Sequence, residues 1–128
     1  MKNQFIPYEE ALELKELGFD EECLGYYHTT LSSSDVDLVL GKTHNRFYHL
    51  VGIPEDFNTL APLYQQAFRW FREKYNLLYT IEETLEDDEV WYEWTIKTPN
   101  GFEGSAEPTY EEAELACLKK LIEIVKKK

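Results

Sequence analysis

The sequence predicts an α+β fold: an antiparallel sheet with about three helices packed mainly on one face, in the order α, an uncertain β region, α, β-β-β, α. Apolar residues recur at helical spacing in three stretches, and two runs between residues 77 and 96 alternate strictly. Short polar turns join those runs, which is hairpin chemistry and favours antiparallel pairing.

"PYEEALELKELGF" predicts a helix over residues 8–17. Pro7 suits the first turn, Glu9 and Glu10 lie where the helix dipole favours anions, and Gly18 can take a left-handed stop with Phe19 folding back on Leu14. In residues 24–58, "LGYYHTT", "DVDLVLG" and "RFYHLVG" read as strands, with "SSSD" and "GKTHN" as turns. The stretch 29–58 is equally compatible with an irregular loop region inside a single domain spanning 1–128.

"TLAPLYQQAFRWFREKYN" predicts an amphipathic helix with Thr59 as N-cap and Pro62 in the first turn. Next, Leu77, Tyr79 and Ile81 share one strand face, as do Val90, Tyr92, Trp94 and Ile96 in the following strand; "TLEDDE" joins them, with Leu85–Glu89 as the connection. "TPNG" is a turn, "FEGSA" a short third strand, and "EPTYEEAELACLKKLIEIVKKK" the last helix. Thr109 and Glu112 form its capping box, and Tyr110, Ala113, Cys117, Leu121, Ile124 and Val125 its buried stripe.

The chain holds 25 acidic residues against 13 Lys and Arg, a net charge of −12. Residues 41–81 carry a local surplus of two positive charges, so the remainder holds −14, a field that repels phosphate and disfavours nucleic acid. No apolar run is long enough for a membrane span, and "MKNQFIPYEEALELK" lacks a secretory core, so a cytoplasmic protein with Cys23 and Cys117 reduced is expected.

No stretch specifies catalysis, a metal or a cofactor. Gly41-Lys42-Thr43 matches the tail of a phosphate-binding loop, but Val36 stands where its earlier glycine is required. Cys23, His28, His44 and His49 match no familiar zinc spacing, and nothing beside them supplies an orienting group for a nucleophile. The carboxylates of "EETLEDDEVWYEW" read as a solvated hairpin tip. Its tryptophans are sharper: strand alternation sends Trp94 toward the helices and Trp91 to the opposite face with Glu93, Thr95 and Lys97. Trp91, Glu93 and Lys97 are thus the candidate protein-contact residues, the competing expectation being a tryptophan covered by a cross-strand neighbour or the N-terminal segment.

The helix-strand-strand-strand-helix order of residues 60–127 is similar in layout to the double-stranded RNA-binding domain. That family's last helix opens with lysines that meet phosphate, whereas this one opens with Glu111, Glu112 and Glu114, so RNA binding by that route is not expected. "FIPYEEALELKELGFDEECLGYY", "APLYQQAFRWFREKY" and "YEEAELACLKKLIEIVK" resemble a group of small uncharacterised proteins of gut Bacteroides-type bacteria and their phages and mobile elements. The resemblance implies a setting and brings no activity, ligand or site residue.

These observations together lead to the expectation of a small non-enzymatic protein of phage or mobile-element origin, acting by contact with a protein partner or with its own copy. An acidic nucleic-acid mimic that inhibits a host defence protein, and an enzyme with an unrecognised site, are the alternatives.

Overall fold

In the computed structural model, which describes residues 4–30, 33–43 and 58–127, helix α1 (Tyr8–Glu16) starts directly after Pro7, as its sequence predicts. It ends in a Schellman motif: Gly18 takes φ 97°, its N–H donates to the Lys15 carbonyl, and the Phe19 N–H donates to the Leu14 carbonyl at 2.9 Å. Phe19 and Leu14 are both buried.

The chain divides into two compact units, Met1–Leu63 and Tyr64–Lys128. In the first, strands β1 (Cys23–Thr30), β2 (Ser33–Thr43) and β3 (Asn58–Leu60) form an antiparallel sheet in the order β2-β1-β3. The N-terminal segment ties onto this unit, with the Ile6 N–H donating to the Pro62 carbonyl at 3.0 Å and the Tyr27 hydroxyl to the Ile6 carbonyl at 2.6 Å.

Three local expectations are corrected here. Thr59 and Leu60 do not open a helix; they pair with Tyr27 and Tyr26 as β3. Ala61 precedes Pro62, which disfavours helical geometry, and its N–H instead donates to the Gly25 carbonyl, so α2 (Tyr64–Tyr75) starts only after the proline. Gly41, Lys42 and Thr43 are not a turn but the end of β2, where Thr43 pairs with Cys23, and Ser33 of the expected "SSSD" turn already pairs with Thr30. "RFYHLVG", with His44 and His49, lies outside the described residues.

In the second unit, α2 stops at Asn76 in the left-handed conformation (φ 55°), and β4 (Leu78–Glu86), β5 (Glu89–Thr98) and β6 (Gly101–Glu107) follow as an antiparallel sheet ordered β4-β5-β6. The β4–β5 connection is shorter than expected. Leu85 pairs with Val90 and Glu86 with Glu89, leaving a two-residue turn in which Asp87 and Asp88 both have positive φ (52° and 64°). Helix α3 (Tyr110–Lys126) is capped by Thr109, whose hydroxyl accepts from the Glu112 N–H at 3.1 Å.

The two helices of this unit cover one face of its sheet. Phe68 of α2 stacks on Tyr79 of β4 at 4.1 Å, and Tyr110 of α3 meets Tyr92 of β5 edge-on at 5.8 Å. Leu77, Trp94 and Ile96 are buried, with Ala113, Cys117, Leu118, Leu121 and Ile122 of α3, each large side chain stabilising the fold by about 1.5–3 kcal/mol. The cover does not reach the hairpin tip: Val90 is exposed although its alternation points inward, and Tyr110, expected in the buried stripe of α3, is exposed at the helix start. Among the described residues no helix is long and apolar enough to cross a membrane.

Candidate functional site

Strand pleating divides the C-terminal sheet into two chemically different faces. Residues directly opposite each other share a face, so the pairs Leu78↔Lys97, Thr80↔Thr95, Glu82↔Glu93, Thr84↔Trp91 and Glu86↔Glu89 all lie on the side away from Trp94 and Ile96. The third strand adds Phe102, Gly104 and Ala106, opposite Lys97, Thr95 and Glu93. On this side Leu78, Thr80, Glu82, Glu86, Glu93, Lys97, Phe102, Gly104 and Ala106 are exposed, and only Thr84, Trp91 and Thr95 are half-buried. The face is open to solvent.

Trp91, Glu93 and Lys97 therefore stand where alternation places them, together on β5, the central strand. Trp91 is half-buried rather than fully presented; Thr84 lies directly across from it and donates its hydroxyl to the Trp91 backbone carbonyl at 3.4 Å. Lys97 sits between Leu78 and the 73 % exposed Phe102, so one end of the face combines apolar surface with a single cation. The other end is acidic: Glu82 faces Glu93 and Glu86 faces Glu89, one carboxylate pair on each side of Trp91.

Gly104 sets how closely β6 approaches β5. A Cβ on Gly104 would collide with the Trp94 carbonyl oxygen and lie 3.1 Å from the Thr95 Cα, so any side chain here displaces the edge strand.

The remaining sequence candidates are engaged elsewhere. The Cys23 thiol donates to the Glu21 carbonyl at 3.3 Å in a buried position, and His28 Nδ1 lies 3.0 Å from Asn58 Oδ1 on the neighbouring strand. His44 and His49 lie outside the described residues, among which no three His, Cys, Asp or Glu side chains are grouped to hold a metal. Cys117 is buried on the inner side of α3, and burial, reinforced by the nearby Glu114 charge, pushes its thiol up to about 12. Burial and then Glu111 raise the Glu114 carboxyl above its ordinary value.

A groove of about 410 Å³ runs between the β5–β6 turn and the last turns of α3. Its apolar lining comes from Pro99, Phe102 and Ile124. Its charges neutralise one another, since Lys120 bridges Glu103 at 3.6 Å and Glu123 at 3.4 Å while Lys127 holds Glu123 at 2.8 Å. The hydrogen bond from Lys127 and the two lysine charges lower the Glu123 carboxyl, and the same pairing raises Lys127.

Sequence reasoning missed Leu78 and Phe102 as the cross-strand neighbours of Lys97, and Glu82 as that of Glu93. Alternation from Tyr79 already puts Leu78 and Glu82 on the opposite side, but facing them to particular β5 residues requires the hairpin register, which depends on the two-residue turn. No family model, curated protein or solved structure matches the chain.

Proposed function

We propose that the protein is a small non-enzymatic binding protein that acts through protein–protein contacts, with the open face of its C-terminal sheet as the contact surface. One observation carries this reading: among the described residues the three-stranded sheet is covered by helices on one side only, and the other side carries a half-buried Trp91 toward the hairpin tip and exposed Leu78 and Phe102 beside Lys97 at the opposite end. Tryptophan is among the residue types most enriched in the positions that dominate binding energy.

The chemistry of the remaining candidates supports a binding role over catalysis. A thiol held near 12 supplies almost no thiolate at neutral pH, and His28 is paired with an amide rather than a carboxylate. The acidic-mimic alternative calls for carboxylates in an extended stripe at phosphate spacing. Those of the C-terminal unit instead occupy both sheet faces, as Glu82 and Glu83 do, and the start of α3.

The open face also favours a different chain over a second copy. A symmetric pair with its two-fold axis at Trp91 would set Glu82, Glu86, Glu89 and Glu93 against the same four residues of its twin. Capture from carrier or infected bacterial cells, the setting the resemblance implies, tests the reading with three tagged full-length proteins: wild type, Trp91→Ala/Phe102→Ser, and a control altered on the exposed side of α1, Glu9→Gln/Glu16→Gln. A protein retained by wild type and control but lost from the face variant is the expected result. Equal retention by all three would remove the face as the contact surface, and co-purification of a metabolite alone would favour an enzyme.

A further inference from the structure

The open face sets like charges directly opposite one another across the strands. In an antiparallel pair, side chains directly opposite lie about 4.5–5.5 Å apart at Cβ, and like charges there are destabilising by roughly 0.2–1 kcal/mol. Here the conflict occurs twice, at Glu82↔Glu93 and at Glu86↔Glu89, and the pairs bracket the Thr84↔Trp91 row on the same side of the sheet. Lys97 lies at the other end of the face, two pairs beyond Glu93, and does not stand between either pair.

Resting on the contact surface proposed above, we infer that its occupant is a lysine- and arginine-rich polypeptide segment, seated over Trp91 with its cations at the two carboxylate pairs that flank it. A cation inserted between Glu82 and Glu93, or between Glu86 and Glu89, turns a repulsive pair into a bridged one, so the energy released on binding includes relief of a cost the free protein carries. The Trp91 ring supplies the other half of the site. Its face attracts guanidinium or ammonium groups, an interaction of about 0.5–1 kcal/mol at exposed positions, and its apolar area accepts the aliphatic stem of the same side chain. The two carboxylate pairs lie four residues apart along β4, from Glu82 to Glu86, a separation that an extended segment matches with alternate side chains.

The probe is a peptide of six Arg-Gly repeats, titrated into the full-length protein at about 50 mM and about 300 mM salt, with backbone and indole amides followed by NMR. Shift changes confined to β4, β5 and the Trp91 indole are expected, with affinity falling at the higher salt. Trp91→Ala weakens binding about twofold to fivefold, and Glu82→Gln/Glu93→Gln about tenfold. The charge-matched Glu9→Gln/Glu16→Gln protein stays within about twofold of wild type.

Shift changes spread evenly over α1 and α3, or equal losses in the control and face variants, would overturn the inference, because the peptide would then be reading net charge alone. Sedimentation showing growth to higher mass without peptide would overturn it in favour of a second copy. Failure here is distinguishable from failure of the contact surface itself. A natural partner whose capture depends on Trp91 and Phe102, together with diffuse peptide binding, retains the surface and discards the basic occupant.

Discussion

The two faces of the C-terminal sheet are built from the same strands and differ in nearly every respect that decides energy. The covered face places Trp94 and Ile96 against helices and stacks Tyr79 on Phe68; the open face sets Trp91 among carboxylates that repel one another across the strands. On the first, sequence and stability agree. On the second, Glu82↔Glu93 and Glu86↔Glu89 work against the fold that holds them, and such a departure from local consistency is expected where a surface serves binding.

The largest effects should separate the faces most clearly. Ile96→Ala removes a fully buried side chain and should destabilise the protein by about 2–5 kcal/mol in urea unfolding. Phe102→Ala, on the open side and 73 % exposed, should stay within about 0.5 kcal/mol. Equal losses would show that the open face is packed after all. Next comes Gly104→Ala, whose new methyl meets the Trp94 carbonyl; a loss of about 2 kcal/mol, with hydrogen exchange of β6 amides accelerated ahead of β4, is expected.

Smaller effects sharpen the contrast. Replacing Asp87-Asp88 by Asn-Gly suits the positive φ at both positions and removes two charges, so a gain of roughly 0.5–1 kcal/mol is expected from thermal unfolding. On the covered side, burial and Glu111 raise the Glu114 carboxyl, so the folded chain holds that proton more tightly than the unfolded chain does. Its charge therefore opposes folding at neutral pH, and the penalty fades as pH falls through the raised value toward the unfolded one. Glu114→Gln should be slightly more stable than wild type at pH 7, with the difference closing by about pH 4. A difference constant across that range would place the effect in packing rather than charge.

The covered face was largely legible in the sequence. Alternation from Leu77 to Ile96 identifies β4 and β5 and puts Trp94 inside, and the spacing of Ala113, Cys117 and Leu121 predicts the inner stripe of α3. The open face was legible only in part. Trp91, Glu93 and Lys97 follow from alternation on one strand, but the carboxylate pairs are a property of register, set by a two-residue turn where an acidic run reads as a longer connection. The misread start of α2 has a similar origin. Thr59 and Pro62 are good helix-opening residues taken singly, yet backbone pairing of β3 with β1 outweighs that preference.

Glu93→Gln, measured for both unfolding stability and affinity for the Arg-Gly peptide, tests the central claim most directly. The account predicts that the two move in opposite directions: a fold more stable by about 0.2–1 kcal/mol, because one repulsive pair is gone, and a weaker complex, because the same carboxylate no longer meets a cation. A variant that gains stability and binds the peptide as wild type does would contradict it, leaving Glu93 as a solvated side chain on an idle surface.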